Sequence, residues 1–196
     1  MARVYGIKKR LEQHNYDEKT IKEIIGNGDL VGIIKRMENL LDPDLTREIL
    51  DSCACGGGKE YIKKCEQTGR ELAGKELTEK INHLNSAPDS TMLTLNRDNT
   101  ITGVMSFGDS GRYKCVCSAA VKNGVTVADL ASAEDESRAM PLTYCLCCAG
   151  SWRRHLQLQL GIGLKTREII SSPINSRGEK PCEFIFEIVD TGKVKG

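Results

Sequence analysis

The chain predicts an α+β protein, with a helical region over residues 1 to 88 followed by a cysteine-rich α+β region over residues 89 to 196. Three observations carry this reading. Apolar residues recur at helical spacing from residue 3 to about 84, and the composition breaks at Asn85-Ser86-Ala87-Pro88. Beyond the break come short β-branched and alternating segments, ending in a strand–turn–strand pattern from Leu164 to Val189. A chain of 196 residues is long enough to bury a substantial core without staples.

The helices are read in order. Ile21, Ile24 and Ile25 lead to a Gly26-Asn27-Gly28 turn, and Asp29 is a suitable N-cap for the stripe Leu30, Ile33, Ile34, Met37, Leu40 and Leu41. Pro43 marks a break, with Asp44 expected to cap a short helix carrying Ile49 and Leu50. After Gly56, Gly57 and Gly58, one helix is expected to carry Tyr61, Ile62, Cys65, Leu72, Leu77, Ile81 and Leu84, with Cys65 as a small buried hydrophobe. Thr91 to Leu95 and Thr100 to Phe107 read as strands joined by the turn Asn96-Arg97-Asp98-Asn99, and residues 131 to 138 form a polar connection. Gly150 to Leu160 reads as a helix with Trp152, Leu156 and Leu160 on one side, stopped by Gly161 and Gly163. Strands then follow at Leu164 to Ile174 and Cys182 to Val189.

Charge argues against several classes of partner. The balance of 28 basic and 27 acidic residues leaves +1, and residues 1 to 50 hold nine of each sign, so no basic field marks a nucleic-acid partner. Aromatic residues make up only 5%, with Trp152 the single tryptophan, so no stacking platform for single strands is apparent. A transcriptional regulator with a helical head and a sensing tail therefore fits poorly. No segment approaches the roughly 20 apolar residues of a membrane helix, and the charged start MARVYGIKKRLEQHN lacks the apolar run of a secretory signal. The expected compartment is the cytoplasm, and a homodimer is compatible with the sequence.

Cysteine usage carries the chemistry. Nine cysteines fall into the clusters Cys53-Ala54-Cys55, Cys115-Val116-Cys117 and Cys145-Leu146-Cys147-Cys148, with Cys65 and Cys182 apart. Reduced thiols prevail in the cytoplasm, so metal ligation or catalysis explains the clusters better than a disulfide framework. Two thiols one residue apart on an extended backbone point to one face, which makes Cys115 with Cys117, and Cys145 with Cys147, economical half-sites. Any four of Cys115, Cys117, Cys145, Cys147, Cys148 and Cys182 can make a tetrahedral sulfur site for zinc; an iron–sulfur cluster is the alternative. Cys53 and Cys55 form a lesser locus, where the glycines that follow allow backbone to approach a thiolate or an anion closely. Cys147 or Cys148, near a helix N-terminus, is also a candidate nucleophile of a cysteine-dependent hydrolase with His155 as base. Arg153 and Arg167, with Arg154 and Lys165, are candidates to hold a ligand carboxylate or phosphate.

Residues 141 to 189, PLTYCLCCAGSWRRHLQLQLGIGLKTREIISSPINSRGEKPCEFIFEIV, resemble the end of the 4-vinyl reductase domain and of the L-2-amino-thiazoline-4-carboxylic acid hydrolase-like proteins. The shared pattern is a cysteine-bearing turn, an amphipathic helix, a glycine stop, a strand, and a turn followed by Cys-x-Phe, here Cys182-Glu183-Phe184. The group is similar in fold to haem-based nitric-oxide-sensing domains and is taken to bind small molecules, some members with zinc. The resemblance implies an antiparallel sheet enclosing a pocket. It makes the expected function that of a zinc-binding protein with a small-molecule pocket. The extra CxC units and the CCAG turn are departures from the pattern.

Overall fold

A computed structural model describes residues 2–53, 57–87, 91–109, 111–115 and 141–189. Six helices come first: α1 (Ala2–Gln13), α2 (Glu18–Ile25), α3 (Leu30–Leu40), α4 (Pro43–Ser52), α5 (Lys59–Glu71) and α6 (Leu77–Asn85). Strands β1 (Thr91–Leu95) and β2 (Thr100–Met105), the short pair β3 (Gly108–Asp109) and β4 (Arg112–Tyr113), a 3-10 turn at Leu142–Cys145, helix α7 (Leu146–Leu160) and strands β5 (Gly163–Ser171) and β6 (Cys182–Val189) complete it. The fold is α+β, and the main sheet is antiparallel throughout in the order β1-β2-β6-β5.

Local chemistry sets most boundaries. The Asp17 and Asp29 carboxylates accept from the backbone N–H groups of Thr20 and Gly32, which starts α2 and α3. Helix α4 is capped by Asp42 rather than by Asp44: Asp42 Oδ1 accepts from Asp44 N and Leu45 N, and Pro43 takes the first helical position, where it has no N–H to lose. The single helix expected after the glycines is two. Gly74 adopts φ +79, and Glu76 and Glu79 form a reciprocal capping box that starts α6 afresh. At the other end of the chain, α7 starts four residues before the expected Gly150, because the 3-10 turn feeds straight into it. That places Cys147 and Cys148 inside the helix.

Helix α7 is the centre of the molecule. It packs on α4, α5 and α6 and on strand β5, and Trp152, Leu156 and Leu160 are all buried. Opposite them the inner sheet face presents Leu93, Ile101, Phe184, Phe186, Leu164 and Ile169, and the buried residues of α1 to α4 join the same hydrophobic cluster. The indole of Trp152 is wedged edge-on against Phe184 and Phe186, with centroids 6.1 and 5.9 Å away. It lies directly over Gly103, where a Cβ would stand 2.7 Å from Trp152 Cη2. The edge of β1 is capped: Asn85 Nδ2 donates to Leu93 O and Asn85 Oδ1 accepts from Leu93 N, both at 2.8 Å. No described helix is long and apolar enough to cross a membrane.

Candidate functional site

A cavity of about 370 Å³ opens between α7, the start of α5, the end of α6 and the β1–β2 hairpin. Its floor is one face of α7. Cys148, Ser151, Trp152, His155, Leu156 and Gln159 follow the three-and-four spacing that stacks side chains along one side of a helix, and all six line the cavity. Leu84 and Asn85 come from α6, Leu93 from β1 and Met105 from β2, while Phe107 and Tyr61 add two further rings. Among the described lining residues there is no Asp, Glu, Lys or Arg.

Two contacts fix the polar side of the cavity. His155 is 8% exposed, and its ring meets that of Tyr61 edge-on at 4.7 Å. Gly57, at φ +72, leaves room for the imidazole: a Cβ there would stand 2.8 Å from His155 Nε2. The close approach expected at the glycine run is therefore made by a histidine ring. Helix α5 comes equally close further along, where a Cβ on Gly69 would meet Leu158 O at 2.1 Å. Between these points Cys65 is buried, as expected, and desolvation holds its thiol pKa above the ordinary value despite a hydrogen bond involving Tyr61.

The other cysteines are distributed as follows. Cys145 and Cys147 do not repeat an extended half-site: Cys145 is the helical-region N-cap of α7 and Cys147 lies on the helix, so their side chains diverge by about 200°. Cys147 is buried off the cavity, and Cys148 faces it. Cys182 stands opposite Met105 in the β2–β6 register, and Lys114, next to Cys115, donates its N–H to Phe107 O. Met105 and Phe107, which these contacts reach, line the same cavity as Cys148. Cys117 and Cys55 lie outside the described residues. Cys53 ends α4 and packs on α1, its Sγ 3.3 Å from the position a Gly6 Cβ would take. Among the described residues no three His, Cys, Asp or Glu side chains group as ligands of one metal ion. The described residues alone thus do not supply a ligand set for a zinc ion.

Arg153 and Arg167 lie in a different place, a groove of about 700 Å³ between α4, α7 and β5. Each already faces a carboxylate of the chain. Arg153 Nη2 is 2.7 Å from Asp51 Oδ2, while Asp51 Oδ1 accepts from Thr166 Oγ1 at 2.7 Å. Arg167 Nη1 donates to Asp98 Oδ2 at 2.9 Å, and the Thr100 hydroxyl, followed by Arg167, holds the Asp98 pKa below its ordinary value. Arg47, Arg153, Lys165 and Arg167 are matched in this groove by Asp44, Glu48, Asp51 and Glu187.

Sequence reasoning missed Tyr61, Asn85, Ser151 and Gln159 as site residues. Ser151 and Gln159 had a usable signal, because extending the Trp152–Leu156 stripe at three-and-four spacing takes in Ser151 and Cys148 toward the start of the helix and Gln159 toward its end. Tyr61 and Asn85 reach the site only through tertiary packing. Compared with protein-family models, with curated proteins and with solved structures, the chain finds no match.

Proposed function

We propose that this α+β protein binds a small molecule in the cavity beside α7. The observation that carries the reading is the stripe on that helix. It sets an indole beside a thiol, a hydroxyl, an imidazole and an amide around about 370 Å³ of space. Apolar walls with a few convergent polar groups, in a volume near the low end of the roughly 300–1,000 Å³ range, are the usual make-up of a ligand pocket. The wall is also rigid, since Phe184, Phe186 and Gly103 hold the Trp152 ring in place. The likeness of residues 141 to 189 to a group taken to bind small molecules points the same way. Spacing favours binding over cysteine-based hydrolysis: seven helical positions separate Cys148 from His155, about 10.5 Å of rise, which is beyond direct proton transfer.

Trp152 is the single tryptophan of the chain, so its indole N–H gives one resonance at the wall of the cavity. In a screen of metabolite-sized compounds by thermal shift and ¹⁵N NMR, a true ligand moves that resonance and raises Tm. Saturation at 100 times Kd corresponds to about 2.7 kcal/mol of stabilisation. Ser151→Phe, which fills the cavity, is expected to abolish both effects. A library in which no compound does both, or a ligand whose binding survives Ser151→Phe, overturns the proposal.

A second reading, zinc held by cysteines, draws support from Cys148, which lines the cavity with Met105 and Phe107, the residues that Cys182 and Lys114, next to Cys115, pair with. It requires a ligand from outside the described residues, with Cys117 the nearest in sequence. Anaerobically purified protein should then hold close to one equivalent of zinc; less than about half an equivalent, with reactive thiols throughout, removes it.

A further inference from the structure

We propose that the cavity beside α7 selects an uncharged planar ligand, an aromatic amide or a similar neutral heterocycle, and rejects carboxylates and cations of the same shape. This rests on the reading of that cavity as a binding site.

The argument begins with what an occupant would meet. Rings from Trp152, Phe107 and Tyr61 supply flat apolar surface, and aromatic partners pack against such rings edge-to-face or offset. Polar contact comes from Ser151, His155 and Gln159, whose hydroxyl, imidazole and amide groups pair with neutral donors and acceptors alike. No described lining residue is Asp, Glu, Lys or Arg, so among these residues an amidinium meets no carboxylate, and a carboxylate meets no permanent cation and has only the His155 imidazole to pair with. An ion transferred from water into such surroundings loses hydration without recovering it, whereas a neutral amide recovers its hydrogen bonds. The contrast with the groove on the other side of α7 is direct. There, four cations and four anions stand together, so charge is available on this protein and is kept out of the cavity lining described.

Specificity of this kind is a difference of affinities, and near-isosteric probes measure it. Benzamide, benzoate and benzamidinium have almost the same shape and carry charges of 0, −1 and +1 at pH 7. Titrated into the full chain with the Trp152 indole N–H as readout, benzamide is expected to bind at least about tenfold more tightly than either ion, a difference of about 1.4 kcal/mol. Gln159→Lys is expected to shift the ratio about tenfold toward benzoate, and Gln159→Glu to shift it similarly toward benzamidinium. Chemical-shift dispersion shows that each variant is folded. Gly103→Ala, whose Cβ displaces the indole from its seat, should weaken all three probes together and so separates shape from charge.

Benzoate or benzamidinium binding as tightly as benzamide overturns the selectivity, as does failure of benzamide to move the indole resonance. The cavity reading falls separately, if the wider compound screen also leaves Trp152 unmoved or if a ligand it finds still binds Ser151→Phe.

Discussion

At Gly57 the backbone sits at φ +72 and the space a side chain would need is taken by His155 Nε2, 2.8 Å away. Two separate costs therefore meet in Gly57→Ala: about 1–2 kcal/mol for a Cβ in the left-handed region, and displacement of the imidazole from the cavity wall. The expected result is a loss of about 2 kcal/mol in denaturant unfolding. Adding His155→Ala should return only the contact part. A double-mutant cycle separates the two, and additivity within about 0.5 kcal/mol would show that the ring and the glycine do not interact. Cys148 illustrates the same scale from the side of chemistry. Its position in the cluster Cys145-Leu146-Cys147-Cys148 is plain from the chain, yet which thiol faces a cavity depends on whether the segment is helical.

Helices α5 and α7 pack closely at Gly69. A Cβ added to Gly69 would lie 2.1 Å from Leu158 O, an atom of the backbone that cannot swing aside. Gly69→Ala must push the helices apart, with an expected cost of about 1–3 kcal/mol in chemical denaturation. Because Tyr61 is carried on α5, the same substitution should weaken any ligand of the cavity, although residue 69 does not line it. Retention of full stability would mean that the helices tolerate a wider spacing. Element boundaries were legible in the sequence where a cap or a turn residue stood alone, as at Asp29 or Gly26-Asn27-Gly28. They were not legible where two signals competed. Asp42 and Asp44 flank Pro43, and the apolar residues from Tyr61 to Leu84 read as one stripe although the step from Leu72 to Leu77 is five residues, a phase break of about 140° that marks the separation of α5 from α6.

For the molecule as a whole, the order of helices followed by strands was readable, because helical and strand periods differ and the break between them is sharp. The site was not readable as a unit. Its floor is one continuous helix face, but Tyr61, Asn85 and Phe107 come from three other parts of the chain, and no local pattern announces that they meet α7. The two-residue strands β3 and β4 escaped for a related reason, being too short to show a period. An exchange map should follow this centre-outward organisation. The slowest amides are expected in α7 and β6, which other elements flank, and faster ones at the sheet edges. Leu93 is the expected exception: although it lies on edge strand β1, its N–H is held by Asn85 Oδ1. Its exchange then times the release of a side chain at the end of α6 instead of the parting of two strands. Asn85→Ala should speed Leu93 exchange by about tenfold or more while leaving β6 unchanged. A single amide in the sheet would thus keep time for a helix.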